Sequence, residues 1–378
     1  MPPESRRKVC FVLPSLNGGG AERAAVQILN GLDPNQWDRS MFLFARDGPY
    51  LAEVDPAIPI ASADTASRWG RWTALRSYIA RERPEVVMAF LSYFSVLSAV
   101  RAANTGARVV FNLQTPMSAF LTDADYQWRK RWRKMAFTAV TRVGYAAADL
   151  IVATSQGVAR DLTSTFGINP DQIRVLANPV DLDRVGAAMA QPIDEAVLPS
   201  GSAPLIVAAG RLAEAKNYPL MIEAFAALRQ RMPARLCILG QGELEAELRQ
   251  LIAARGLGEA VSLGGFQDNP WKYIARADVF LLTSRYEGFG NVLIEAMACG
   301  VAVVATTSPG TRDIITDGVD GVLVDAHTAN AVADTLSRVL GDPSYLRRLR
   351  DGAALSAEKF GLRTAVARYE TVLHEAIA

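Results

Sequence analysis

Residues 279–304 constrain the fold more than any other stretch. Val279–Leu282 is an uninterrupted apolar run, and Val301–Ala305 is another. Between them lie a turn carrying Gly288 and Gly290 and a segment of helical composition from Val292 to Ala298. Short apolar runs without polar alternation read as strands covered on both faces, which is the habit of parallel sheets. Parallel neighbours need a crossover, and the intervening segment is long enough to be its helix. The stretch is therefore a β–loop–α–β unit. Its two carboxylates, Glu287 and Glu295, stand eight positions apart. The first is expected in the loop at the carboxyl end of a strand, the second within the helix. Ligands of open α/β sheets bind at that edge, and a helix start there favours phosphate. Carboxylates beside such a site are suited to accept hydrogen bonds from sugar and ribose hydroxyls.

The same pattern recurs along the chain. Val9–Leu13 is an apolar run followed by Gly18-Gly19-Gly20 and a helical pattern at Ala24, Ile28 and Leu29. Glycines there let backbone N–H groups approach a ligand closely. The spacing matches neither GxGxxG nor a P-loop. Further strands are expected at Met41–Phe44, Val86–Phe90, Arg108–Leu113 and Leu150–Ala153, with helices over Trp72–Arg83 and Ser95–Ala103. A proline- and glycine-bearing connector, Ala187–Ala203, precedes a second series. That series has strands at Leu205–Ala209, Leu236–Leu239, Val261–Leu263, Val279–Leu282, Val301–Ala305 and Gly321–Val324. Alternating strands and helices predict an α/β fold of two doubly wound parallel domains. Their expected limits are residues 1–185 and 186–361, with a C-terminal helix over about 362–378.

Bulk properties remove several classes of function. The 378 residues carry a net charge of +1 and 21% charged residues, so no nucleic-acid partner is expected. Cys10, Cys237 and Cys299 are scattered among apolar residues and read as buried thiols of a reducing compartment. His327 and His374 stand alone, which argues against a histidine triad or a zinc site. No metal or other cofactor is expected. The apolar run Val9–Leu13 is too short for a signal-peptide core, and no stretch is long enough to span a bilayer. The expectation is a cytoplasmic protein, at most peripheral on the inner face of the cytoplasmic membrane.

Other residues suggest chemistry. Arg211 and Lys216 follow the first strand of the second series, on the edge expected to hold Glu287, Gly288 and Gly290. Cations there would offset charge developing on a diphosphate leaving group. Gly240-Gln241-Gly242 lacks the third glycine of a dinucleotide fingerprint and reads as a tight turn lining a nucleotide pocket. Asp123/Asp125 and Asp181/Asp183 read as solvated or capping aspartates. Trp128-Arg129-Lys130-Arg131-Trp132-Arg133-Lys134, with Met135, Ala136 and Ala139 extending the apolar face, reads as a helix whose cations face an anionic membrane surface, or as one whose tryptophans pack on the domain with the cations solvated.

Taken in order, Gly18–Arg23, Asn178-Pro179-Val180-Asp181, Gly210-Arg211 with Lys216, Gly240-Gln241-Gly242, and Glu287-Gly-Phe-Gly-Asn-Val-Leu-Ile-Glu295 resemble the retaining glycosyltransferases of the GT-B fold, family 4. The resemblance spans nearly the whole chain. It implies two Rossmann-like domains facing across a cleft, with the nucleotide diphosphate sugar held by the second and the acceptor by the first. Arg211 and Lys216 would bind the phosphates, and Glu287 the donor sugar. The backbone at Gly288, Phe289, Gly290 and Asn291 would lie beside sugar and phosphate. Glu295 would take the ribose, Gly265 and Phe266 would border the base, and Gly18 and Gly19 would approach the diphosphate. The resemblance also implies same-face attack, with a departing phosphate oxygen taking the acceptor's proton and neither metal nor protein base required.

Two departures stand out. The stretch Asn112–Pro116 lacks the histidine common in the family and offers Gln114 instead, and Asp313 stands where the family's Gly-x-x-Glu stretch has glutamate. The function expected is transfer, with retention, from a UDP-sugar (or GDP-sugar) to a glycan or lipid-linked acceptor in polysaccharide or glycoconjugate biosynthesis. The alternatives are a soluble transferase of small molecules, a sugar-nucleotide epimerase, and a non-catalytic nucleotide-sugar-binding scaffold.

Overall fold

The computed structural model describes residues 6–17, 19–63, 65, 67–91, 93–118 and 131–378, and of residues 131–134 only the backbone. The chain divides into two units. One comprises residues 1–179 and 362–378, the other residues 180–361.

The first unit is built on a seven-stranded parallel sheet in the order β3-β2-β1-β4-β5-β6-β7. Its strands are β1 (Arg7–Leu13), β2 (Trp37–Leu43), β3 (Ile60–Ser62), β4 (Val86–Phe90), β5 (Arg108–Leu113), β6 (Leu150–Ala153) and β7 (Ile173–Val175). The short edge strands β3 and β7 are too small to stand out in the sequence. Both faces of β1 are buried, and its side chains alternate between two cores. Val9, Phe11 and Leu13 pack with helices Gly20–Gly31 and Leu362–Ile377. Cys10 and Val12 pack with Leu75, Ile79, Val96 and Tyr145 on the other face. The C-terminal helix is thus part of this unit's core, through Val366, Tyr369, Val372 and Leu373.

The second unit has a six-stranded parallel sheet in the order β10-β9-β8-β11-β12-β13. These strands are β8 (Leu205–Ala209), β9 (Arg235–Leu239), β10 (Val261–Gly265), β11 (Val279–Leu282), β12 (Ala302–Thr306) and β13 (Val322–Val324). Central pairing sets Ile206 against Val279 and Val279 against Ala302. Chain order reverses between β8 and β11, the switch point at which open α/β sheets bind ligands.

The division falls at Pro179/Val180 rather than after residue 185. Asp181 caps helix Leu182–Met189 through the N–H of Arg184 at 3.0 Å, and Arg184 stacks on Trp271 within the second unit. Asp181 is therefore a cap, one of the two roles its sequence context left open. The connector read from the sequence lies hydrogen-bonded along the β9–β10 edge. Arg235 donates to the carbonyls of Ala203 and Pro199, and Ser262 donates to that of Val197.

Candidate active site

The carboxyl ends of β8, β9, β10, β11 and β12 form one continuous edge, stitched by hydrogen bonds between loops. The N–H of Gly210 donates to Leu239, that of Leu212 to Gln241 and that of Gly240 to Gly265, all within 3.0 Å. Gly240 shows why the turn needs glycine. Its φ is +136°, and an added Cβ would sit 2.0 Å from the carbonyl oxygen of Gly210. At Gly242 a Cβ would meet the carbonyl of Leu212 at 2.4 Å. These glycines let two loops touch backbone to backbone.

Lys216 and Glu287, 71 positions apart, meet at this edge. Lys216 Nζ lies 2.7 Å from Glu287 Oε2, and Ser284 Oγ donates to the same oxygen at 3.1 Å. Glu287 Oε1 accepts nothing among the described residues. The loops are braced behind the pair. Thr283 Oγ1 donates to the carbonyls of Lys216 and Asn217, the N–H of Arg285 donates to Ala215, and Thr306 Oγ1 donates to Ser284. The buried Tyr218 hydroxyl donates to Gly210 at 3.1 Å. Burial, with the Glu287 charge adding, pushes its pKa up, so it stays a donor. Arg211 is exposed and makes no side-chain hydrogen bond or ion pair among the described residues.

The turn after Glu287 is tight. Gly290 has φ +99° and leads into helix Asn291–Ala298. The N–H groups of Gly288, Phe289 and Gly290 donate no hydrogen bond among the described residues. Such N–H groups ahead of a helix start make an anion-binding turn. The Phe289 ring does not face this turn: it is buried and packs on Phe360, with centroids 5.9 Å apart. Gly310 closes the turn from below. Its N–H donates to the Glu287 carbonyl at 3.1 Å, and a Cβ there would stand 2.8 Å from the Gly288 backbone. Asp313 lies in the same short helix, Pro309–Ile314.

Glu295 lies inside helix Asn291–Ala298 at 8% exposure and accepts a hydrogen bond from Trp271 Nε1 at 2.9 Å. Gly265 ends β10 at φ +66°, and Phe266 follows it at 63% exposure. An aromatic face left that open beside the strand ends suits stacking on a base.

In the first unit, Gly19 precedes helix Gly20–Gly31, with the Glu22 carboxylate folded back over it. Gly18 lies outside the described residues. The Gln114 amide is engaged inside its own unit. It exchanges two hydrogen bonds with Asn178 and donates to Asn112, which in turn donates to Tyr369. These bonds hold the Gln114 side chain between Asn112 and Asn178.

Trp128, Arg129 and Lys130, with Asp123 and Asp125, also lie outside the described residues. Arg131, Trp132, Arg133 and Lys134 begin helix Arg131–Ala146. Past them, Met135, Val140 and Val143 are 67%, 61% and 71% exposed. No helix among the described residues is long and apolar enough to cross a membrane, and no cluster of three or more candidate metal ligands occurs there.

The sequence reading missed Ser284 and Trp271. Neither belongs to a spaced motif, and each acts across a contact that the chain makes only on folding.

Two family models divide the chain. That of glycosyl transferases group 1 matches residues 191–355, and that of Glycosyltransferase Family 4 matches residues 18–184. The chain belongs to this family of glycosyltransferases. One similar protein is the N-acetylgalactosamine-N,N'-diacetylbacillosaminyl-diphospho-undecaprenol 4-alpha-N-acetylgalactosaminyltransferase of Campylobacter jejuni. It is 36% identical over 217 residues, 57% of this chain and 57% of that protein. The lipopolysaccharide core biosynthesis glycosyltransferase LpsE of Rhizobium meliloti is 34% identical over 214 residues, 56% of this chain and 60% of that protein. The chain thus spans between half and two-thirds of the length of these curated relatives. Among solved structures, Anabaena HepE in complex with UDP and glucose superposes with a TM-score of 0.78 at 19% identity, covering 98% of this chain and 100% of that one. That likeness is one of fold: two Rossmann-like parallel α/β sheets, the pair that makes up a GT-B protein.

Proposed function

We propose that the protein transfers a sugar, with retention, from a UDP-sugar to a lipid-linked glycan acceptor. The observation that carries this is the edge of the second unit, where Lys216 and Glu287 pair beside three undirected N–H groups. A diphosphate would draw on Lys216, Arg211 and the N–H groups of Gly288 to Gly290. Glu287, whose Oε2 is already fixed, would accept sugar hydroxyls through Oε1. Glu295 would take the ribose, and Phe266 the base. In this reading the two cations do what a metal ion does elsewhere, stabilising negative charge as the glycosidic bond breaks. The proton of the attacking hydroxyl passes to the departing phosphate.

The acceptor class draws support from the Campylobacter jejuni relative, whose name specifies a diphospho-undecaprenol-linked acceptor. The uridine nucleotide follows HepE, whose structure holds UDP. The cationic run Arg129–Lys134 ahead of an exposed apolar helix face supports contact with an anionic membrane, where such an acceptor resides.

The test is to incubate the full chain with a panel of UDP-sugars and a bacterial lipid extract, in chelator. Release of UDP and appearance of a lipid-borne sugar with the donor's anomeric configuration are expected. Release without acceptor-dependence, or dependence on an added divalent metal, contradicts the proposal.

A further inference from the structure

Among the described residues, Glu295 is the one glutamate less than a tenth exposed, and what holds it is an indole. Resting on the reading of Glu295 as the ribose contact, we propose that Trp271 is a positioning residue that fixes the Glu295 carboxylate for a vicinal diol.

The argument starts from donor inventory. Trp has a single N–H and no acceptor, and a buried indole must place that hydrogen somewhere. At 4% exposure Trp271 places it on a carboxylate at 2.9 Å, which is the strong, charge-assisted kind of bond. The ring itself is held. The Arg184 guanidinium stands over one face, 5.6 Å from the centroid. Cys299 Sγ, one helical turn beyond Glu295, donates to the Trp271 carbonyl at 3.9 Å. Helix Asn291–Ala298 is therefore tied to the short helix Trp271–Ile274 through both the backbone and the side chain of one residue.

A vicinal diol presents two O–H donors at a fixed separation. A carboxylate meets both only when its plane is set, and rotation about its last bond forfeits one or both contacts. Glutamate on a helix ordinarily samples several such rotations. The indole N–H removes that freedom before the ligand arrives, so the ordering cost is not met on binding.

Calorimetric titration with UDP, 2′-deoxyUDP and 3′-deoxyUDP tests this. Wild type is expected to favour UDP over both analogues. Trp271→Phe keeps a packed ring and loses only the N–H. It is expected to bind UDP about tenfold more weakly, the scale of one hydrogen bond to a charged group, and to bind the deoxy analogues as wild type does. In turnover the change should fall on KM for the donor, with kcat nearly preserved. Benzothienylalanine at the same position, which replaces N–H by sulfur in an unchanged bicycle, gives the same comparison if the phenylalanine variant does not fold. Equal losses on UDP and the analogues would mean a purely structural role, and no loss on UDP would mean no role; either overturns the proposal. Glu295→Gln separates the two layers. If it leaves the preference for UDP intact, the ribose reading fails and this proposal with it. If it removes the preference while Trp271→Phe does not, only the role of Trp271 fails.

Discussion

Glu287 and Lys216 show what a residue gains from its place at a strand end. Both side chains are mostly covered, at 16% and 22% exposure, so theirs is not a screened surface pair. Ser284 adds a second donor to the same carboxylate oxygen. The sequence placed Glu287 and Lys216 on one edge because apolar runs and glycine turns fix where parallel strands end. It did not show that they touch, because a separation of 71 positions leaves no local signal of contact. The thiols behave more simply. Burial pushes Cys10 and Cys299 from 9.0 up to about 12, the Glu295 charge adding to the latter, and burial pushes Cys237 to about 11. A raised folded-state pKa means the native protein holds these protons longer than the unfolded chain. Their contribution is therefore whole below pH 9 and is lost as pH rises toward 11–12. The melting temperature should stay level from neutral pH to pH 9 and fall above it, with a shallower fall in Cys10→Ala. An equal alkaline slope in that variant would contradict the assignment.

At the scale of elements, the loops explain which parts of the site were legible. Buried strands with period-free apolar runs declare themselves, as do helices between them. Short edge strands such as Ile60–Ser62 do not, because three half-covered residues resemble a loop. Gly240-Gln241-Gly242 was legible as a tight turn. Its reason was not, since the glycines answer to the carbonyls of Gly210 and Leu212 on a neighbouring loop. Likewise Gln114 was visible as a departure from the family, but its bond to Asn178 depends on the ends of β5 and β7 converging. Gly240→Ala should be costly for this reason: a left-handed φ and a backbone clash come together. A loss of at least roughly 1–3 kcal/mol is expected, read as a lowered melting temperature and weaker UDP binding. Gly258→Ala, where a Cβ meets nothing within 4 Å, serves as the control and should stay near wild type.

At the scale of the whole molecule, the chain joins a unit with an exposed apolar helix face to a unit whose strand ends carry the Lys216–Glu287 pair. Met135, Val140 and Val143 fall along one face of helix Arg131–Ala146, and the cations of residues 129–134 precede them. If this face meets a negatively charged bilayer, as the proposed function holds, each cation contributes about 1 kcal/mol near that surface. The full chain should float with vesicles rich in phosphatidylglycerol and not with neutral ones, less so in high salt. Val143→Asp with Val140→Asp should leave it in the soluble fraction. Flotation unchanged by those substitutions would assign the contact to another surface. Binding of UDP by that double variant should stay at the wild-type level.

The central claim is that the strand-end loops of residues 180–361 form the donor site, with Lys216 on the phosphates and Glu287 on the sugar. Calorimetric titration of wild type, Lys216→Ala and Glu287→Ala, with both UDP and the UDP-sugar that wild type turns over, tests it directly. Lys216→Ala should weaken both ligands by at least about tenfold, the loss of one charge-assisted contact. Glu287→Ala should weaken the UDP-sugar alone, and should bind UDP at least as well as wild type because Lys216 is released from its ion pair. Wild-type affinity of both variants for both ligands would contradict the account.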